Sequence, residues 1–164
     1  MALFGSSRDI STFKGIAKEL VENIISQQVG YYKYMLGDTE KNVYGEATSR
    51  YYVGPVLINC LIERGEFNVV RKESLGPDSI RDASFRFLKD HLQDANVVPE
   101  IGDIVMYNEL YYEVDNVNEN QLILGKDNDY AYSDGLQNFG NSFSITVTTH
   151  YTSGDKLGIN QQRL

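Results

Sequence analysis

The chain has 164 residues, 41% of them hydrophobic, which is enough for one ordinary domain with a real core and too few for two. Its formal net charge of −8 and its scattered basic residues argue against tight nucleic-acid binding, which needs a basic footprint. The single cysteine and the absence of a signal-like N-terminus predict folding in a reducing compartment, and no apolar run is long enough to span a bilayer.

The first predicted element is an amphipathic α-helix within residues 1–29. Its apolar residues recur at spacings of three and four, which places them on one stripe of a helix. They are Phe13, Ile16, Ala17, Leu20 and Ile24. Lys14, Lys18 and Glu22 fall on the opposite side, and Asp9 or Ser11 can cap the start. Val21 and Ile25 widen the stripe, so we expect the helix to cover more than one surface.

From residue 30 onward the pattern indicates β-structure. "YYKYML" is predicted as a strand, and "PVLINCLIE" is apolar on both alternating faces. Leu57 and Leu61 therefore face away from Ile58 and Cys60, and such a strand is either sandwiched or lies against a partner. "GEFNVVR" is predicted to return as the next strand through a turn at Gly65.

The second half of the chain continues as short strands. "SLGPDSIRD" contains a predicted Gly-Pro-Asp turn, and in "ASFRFLKDHL" Phe85 and Phe87 share one strand face. "IVMY" and "LYYEV" form a predicted hairpin around Asn108 and Glu109, and "QLILG" would extend it to a meander. A polar loop spans residues 126–141, and "NSFSITVTTHY" alternates as the clearest strand in the chain.

These elements predict a mainly β fold in a single domain over residues 1–164. The expected architecture is a small β-barrel or β-sandwich over residues 30–152, preceded by the N-terminal helix over residues 1–29. Residues 153–164 form a polar tail in which the isolated apolar residues Leu157 and Ile159 are poor choices for a free tail. We therefore expect the tail to dock on an adjacent subunit, against the alternative of a disordered terminus.

No catalytic or metal-binding motif is found. The sequence lacks a phosphate-binding glycine loop and a nucleophile elbow, and His91 and His150 have no metal-ligand spacing. Asp127 and Asp129 fit the first positions of an EF-hand loop, but Tyr132 stands where glycine is required. We expect no enzymatic activity, no cofactor and no metal, although a calcium site of another type in this loop remains open.

Several segments, taken together and in order, carry a family resemblance. They are "ALFGSSRDISTFKGIAKELVENIISQQV", "LGPDS", "FRFLKDHLQDANVVPEIGDIVMYNELYYEVDNVNENQL" with its Pro-x-x-Gly-Asp hairpin followed by Tyr-x-Val, and the closing "THYTSGDKLGI". In this order they resemble the neck proteins of contractile-tailed bacteriophages, which are head-completion or head-closure proteins. The hairpin alone is a weak signal, and the combination of the other segments is more specific.

The resemblance implies a structural virion protein made in the bacterial host cytoplasm and located in the neck, between head and tail. Copies would form a homo-oligomeric ring, with a hexamer favoured, that closes the DNA-filled head and docks the tail. Its partners would be a portal or adaptor protein on the head side and a tail terminator or tail tube on the tail side. Six copies would carry roughly −48 charges, so an acidic channel would let genomic DNA pass without specific binding.

The surfaces for these contacts are predicted from the residues. The helical stripe and the two-sided strand need extra cover, and the polar loop and tail are long enough to reach a neighbour. The predicted interface residues are Phe13, Ile16, Leu20, Ile24, Leu57, Leu61, Asp127, Asp129, Tyr130, Tyr132, Asp134, Leu157 and Ile159.

Two other functions stay open. A nucleic-acid-binding barrel of the OB type could stack bases on Tyr111, Tyr112 and Tyr151, although the acidic charge counts against it. A glycan-binding or hydrolytic domain is the other, although the chain has no Trp and no carboxylate pair stands out.

Overall fold

A computed structural model describes residues 7–37, 39–41, 43, 47–72, 76–119 and 143–157 of the chain. Helix α1 spans Ser7–Glu19 and continues as a π-helical segment, Leu20–Ile25. The strands are β1 (Gln28–Tyr34), β2 (Glu40–Lys41), β3 (Ala47–Ser49), β4 (Tyr52–Lys72), β5 (Gly76–Leu88), β6 (Ile104–Tyr107), β7 (Leu110–Asn118) and β8 (Ser144–Thr152). Helix α2 (Lys89–Asp94) follows β5, and helix α3 (Gly154–Leu157) follows β8.

Six of these strands close into an antiparallel barrel in the order β1-β4-β5-β8-β7-β6, and β2 pairs with β3 separately. The prediction of a mainly β fold with an N-terminal helix is thus confirmed, and of the two architectures left open it is the barrel. Alternate residues of each strand point inward, so "FRF" in β5 places both Phe85 and Phe87 in the core. Cys60 and Ile58 fill the same core from β4, as their alternation predicted.

Two predicted turns are wrong. Gly65 lies inside one continuous strand, β4, where the register with β5 shifts between Arg64 and Phe67 as in a β-bulge. The Gly-Pro-Asp segment also belongs to a strand, since Gly76 pairs with Lys72 at the start of β5. The glycine at position 65 reflects close approach rather than a turn, because a Cβ there would lie 2.8 Å from the carbonyl oxygen of Asp82.

The predicted hairpin between β6 and β7 is confirmed. Asn108 and Glu109 both have positive φ, 49° and 62°, as the two central residues of a type I′ turn require. The strand predicted at "QLILG" and the long polar loop lie outside the described residues. The strand predicted over "NSFSITVTTHY" is confirmed as β8.

A buried carboxylate fixes the start of β6. Asp103 is fully buried and accepts hydrogen bonds from the Tyr31 hydroxyl (2.6 Å), the Lys33 ammonium (3.0 Å) and the backbone N–H groups of Tyr34 and Glu100 (2.8 Å each). Because its oxygens have charged and neutral donors, the carboxylate is stable in the interior. It joins the end of β1 to the loop before β6.

A second apolar cluster lies on the outside of the barrel. It consists of residues that alternate with the inward-facing ones on β1, β6 and β7, together with one residue of α3. They are Tyr32, Ile104, Met106, Tyr111 and Leu157. Helix α3 therefore folds back and covers one outer face of its own barrel.

Candidate functional site

The N-terminal helix turns its apolar stripe towards solvent. Phe13, Ile16 and Ile24 expose 47%, 59% and 72% of their surface, and Leu20 is exposed as well. Among the described residues of α1 and the π-helical segment, the buried side chain is that of Val21. The sequence therefore predicted the stripe correctly, but the stripe does not pack on the barrel.

The charged side of the same helix faces the barrel. Lys14 and Lys18 lie 4.0 Å from the carboxylates of Asp90 and Asp94 on α2. Glu22 Oε1 lies 2.9 Å from Nε2 of His91, which is itself buried. Exposed ion pairs of this kind contribute little to stability, so α1 rests on a polar surface that holds it weakly.

This orientation is the reverse of that expected for a surface helix. An amphipathic helix normally buries its apolar stripe and exposes its charges, because burial of apolar area drives its packing. A contiguous exposed apolar patch on a folded protein usually marks an interaction site, whereas single exposed apolar residues are ordinary. We call the exposed residues Phe13, Ile16, Leu20 and Ile24 the helix stripe.

A second exposed surface, lined by both apolar and polar residues, lies on the outer face of the barrel. Leu57 of β4 exposes 52% of its surface, and the strand neighbour opposite it is Gly30, which has no side chain. The result is a groove of about 560 Å³ over Gly30, bordered by Leu57 and Met106. Of the two β4 residues predicted for an interface, Leu57 lines this groove, whereas Leu61 is half-buried.

The remaining predicted interface residues divide into two groups. Five of them lie outside the described residues in the polar loop, namely Asp127, Asp129, Tyr130, Tyr132 and Asp134, and so does Ile159 in the tail. Leu157 is 2% exposed and packs within its own chain. Its side chain is therefore not available to a neighbouring subunit, because the outer face of β1, β6 and β7 already covers it.

The exposed apolar residues that the sequence did not predict include two on one loop. Val98 and Ile101 stand on the loop between α2 and β6 and expose 65% and 69% of their surface. The loop is tied to β1 through Lys33, whose ammonium donates to the Val98 carbonyl and to Glu100. Single apolar residues in a polar loop have no periodicity, so the sequence contained no signal for them.

The tyrosines proposed for base stacking are not available on the surface. Tyr111 and Tyr112 are buried, and Tyr151 is half-buried with its ring packed against that of Tyr112. Tyr111 belongs to the outer cluster under α3, and Tyr112 belongs to the core. Stacking a base on Tyr111 would require α3 to leave the barrel surface, and stacking one on Tyr112 would require the barrel to open.

The titratable groups of the described residues show structural roles. Burial raises the pKa of the Cys60 thiol to about 12, which removes the thiolate that nucleophilic chemistry requires.

Within the described ranges, no three His, Cys, Asp or Glu side chains are grouped as metal ligands. His150 pairs with Asp115 at 2.7 Å on the surface. In the same ranges, every helix is too short or too polar to cross a bilayer.

Comparison with known proteins leaves the chain without an assigned family. No family model matches its sequence, and no curated protein matches it.

Proposed function

We propose that the chain is a structural virion protein of a contractile-tailed phage neck, which forms a ring between head and tail. In this role it closes the DNA-filled head and offers a docking surface to the tail. The proposal rests on the resemblance of the ordered sequence segments. The observation that supports it best is the outward orientation of the helix stripe.

The helix stripe supports assembly for an energetic reason. Complete burial of a leucine, isoleucine or phenylalanine contributes roughly 1.5–3 kcal/mol, and each partly exposed residue of the stripe forgoes a share of that free energy. The fold offers no such burial within the described part of the chain, because the side of α1 that faces α2 is the charged side. The described residues therefore leave the stripe uncovered, and we propose that identical copies of the chain cover it.

Two separate surfaces suit a closed ring. Subunits of a cyclic ring other than a dimer meet through two different patches, one on each side. The helix stripe is apolar, and the groove beside Leu57 is a different surface that also contains polar residues such as Gln28 and Glu109. We assign the first to one neighbour and the second to the other, with the portal and tail proteins contacting the remaining faces.

The acidic charge suits a conduit for DNA. A ring that carries a large negative charge repels the duplex and lets it slide, whereas a basic lumen would hold it. The full chain should accordingly bind DNA weakly at physiological salt, and the little binding that remains should not depend on sequence.

The decisive measurement is the mass of the native assembly. Six copies of the 18.6 kDa chain would give a particle of about 112 kDa in native mass spectrometry or light scattering. The assembly is expected either for the chain alone or on addition of portal and tail components from the same phage. A chain that stays monomeric in both conditions, and is absent from purified virions, would contradict the proposal.

The helix stripe provides the matched variants. Ile16→Glu and Ile24→Glu should prevent assembly, because burying a carboxylate without a partner is costly. Val43→Glu introduces the same charge at a residue that is 99% exposed and lies outside the stripe. If Val43→Glu disrupts the ring as strongly as Ile16→Glu, added charge rather than the stripe is responsible.

A further inference from the structure

A small cleft between β4, β5 and the β6–β7 turn contains two arginines. Arg64 and Arg81 both line it, together with Tyr107, Asn108 and Tyr112. Its volume is about 260 Å³, which is below the range typical of pockets for whole cofactors and suits a single functional group. Two guanidinium groups at one cleft are notable in a chain whose net charge is −8.

Local backbone features build the walls of the cleft. On one side the bulge between Arg64 and Phe67 adds a residue to β4 opposite β5, and Gly65 lets the Asp82 backbone approach closely. Bulges of this kind re-aim a side chain at the edge of a barrel. On the other side stands the turn residue Asn108, with a positive φ.

Among the described residues, the hydrogen-bond partner that holds Arg64 in place is uncharged. Its Nη2 donates to the Tyr107 hydroxyl at 2.6 Å, and the same hydroxyl accepts from Gln27 Nε2 at 3.0 Å. Within the described part of the chain, this hydrogen-bond partner of Arg64 is thus a neutral phenol rather than a carboxylate. A guanidinium has five N–H donors in a planar fork, so most of them remain for a ligand.

Both arginines act electrostatically on the same part of the cleft. Burial raises the pKa of the Tyr112 phenol, and the positive charges of Arg81 and Arg64 oppose that rise. Asp82 also lines the cleft, so the lining contains two guanidinium groups and one carboxylate. Asn108 adds an amide that can donate to an oxygen atom.

We infer that this cleft is a binding site for a compact oxyanion, a carboxylate or phosphate group, held by Arg64 and Arg81. Paired N–H donors of a guanidinium match the oxygens of either group. The carboxylate would come from an acidic side chain and the phosphate from a phosphorylated ligand. The site does not depend on ring formation, so it stands or falls separately from the proposed function.

The test is a titration of the ¹⁵N-labelled full chain with sodium acetate and, separately, with inorganic phosphate at low ionic strength. Saturable shifts of the backbone amides around residues 64–65, 81–83 and 107–112 are expected, with weak, roughly millimolar affinity for the preferred anion. Saturation by acetate alone identifies a carboxylate ligand, and saturation by phosphate alone a phosphate ligand. No saturable shift with either anion would overturn the inference.

The variants separate a built site from general attraction of anions. Arg64→Gln and Arg81→Gln should each lower the affinity at least about tenfold, and Arg64→Lys should lose less because it keeps the charge without the fork. Arg86→Gln is the matched control, since Arg86 is exposed on β5, bonds to Thr146 and lies outside the lining. An equal loss in Arg86→Gln would overturn the inference, and unchanged spectra of both cleft variants without anion show that they fold.

Discussion

The two ends of the described chain treat apolar residues in opposite ways. Helix α1 exposes its stripe, whereas the short helix α3 buries Leu157 against the barrel. The difference lies in the surface that each helix meets. Helix α3 lies over an apolar outer face that includes Tyr32 and Tyr111, whereas α1 lies over α2, where Asp90 and Asp94 face it. An apolar stripe on a helix therefore indicates that the stripe packs against some surface. Whether that surface belongs to the same chain depends on the polarity of the neighbouring elements.

The largest expected effect is a difference in the free energy of unfolding between variants at the two ends. Leu157→Ala should lower the free energy of unfolding by about 2–3 kcal/mol, because it leaves a cavity over the outer cluster. Ile16→Ala should change it by less than about 0.5 kcal/mol, because its side chain is already exposed and alanine favours a helix. Urea denaturation of dilute protein measures both.

An outcome in which Ile16→Ala destabilises as much as Leu157→Ala would show that the helix stripe is buried in solution. The same contrast matters for a truncation after Thr152, which would test whether residues 153–164 dock on an adjacent subunit. Such a truncation removes Leu157 and so damages the barrel surface, which means that a loss of tail attachment would not by itself identify a docking tail.

Much of the fold was predictable because it depends on periodicity. Alternation in β5 and β8 and the two-sided pattern of β4 correctly predicted strands, and the aromatic core follows from them. The helix was predictable for the same reason. Its orientation was not, because a stripe specifies one apolar face but not the surface that the face meets. For the same reason the sequence did not predict that Leu157 packs against its own barrel.

The two turn predictions were wrong because a glycine has more than one structural use. Glycine suits a turn because it tolerates unusual φ values, but it also permits two backbones to approach closely. At Gly65 the second reason applies, since Asp82 lies too near for a Cβ. The cleft of Arg64 and Arg81 was equally hidden, because a β-bulge in a long-range strand pair brings its walls together. Sequence spacing carries no record of that pairing.

The second expected effect concerns alkaline pH. Burial raises the pKa values of Tyr32 and Tyr111, the two phenols in the cluster with Leu157. A phenol with a raised pKa in the folded state contributes stability below its unfolded pKa near 10, and that stability is lost as pH rises above it. Each such group should lower the free energy of unfolding by up to about 1.4 kcal/mol per pH unit in this window.

Tyrosinate absorbance between pH 9 and 12, together with urea midpoints, measures this loss. Leu157→Ala should shift part of the phenol titration towards the ordinary range, because it uncovers the two rings. Ile16→Ala should leave the titration unchanged, since α1 and the π-helical segment contain no tyrosine. Identical titrations in Leu157→Ala and the unmodified chain would mean that α3 does not shield these rings.

The smallest expected effect comes from one substitution made at both ends. A Cβ at Gly154 of α3 would lie 3.1 Å from the Tyr111 ring, so Gly154→Ala should cost about 1 kcal/mol as the ring is forced to move. A Cβ added at Gly15 would have no neighbour within 4 Å. Gly15→Ala should therefore stabilise the chain by up to about 1 kcal/mol, because alanine has the higher helix propensity. Thermal or urea unfolding of the two variants side by side should give shifts of opposite sign. Opposite signs follow only if α3 is packed and α1 is open, so two shifts of the same sign would remove the distinction between the ends.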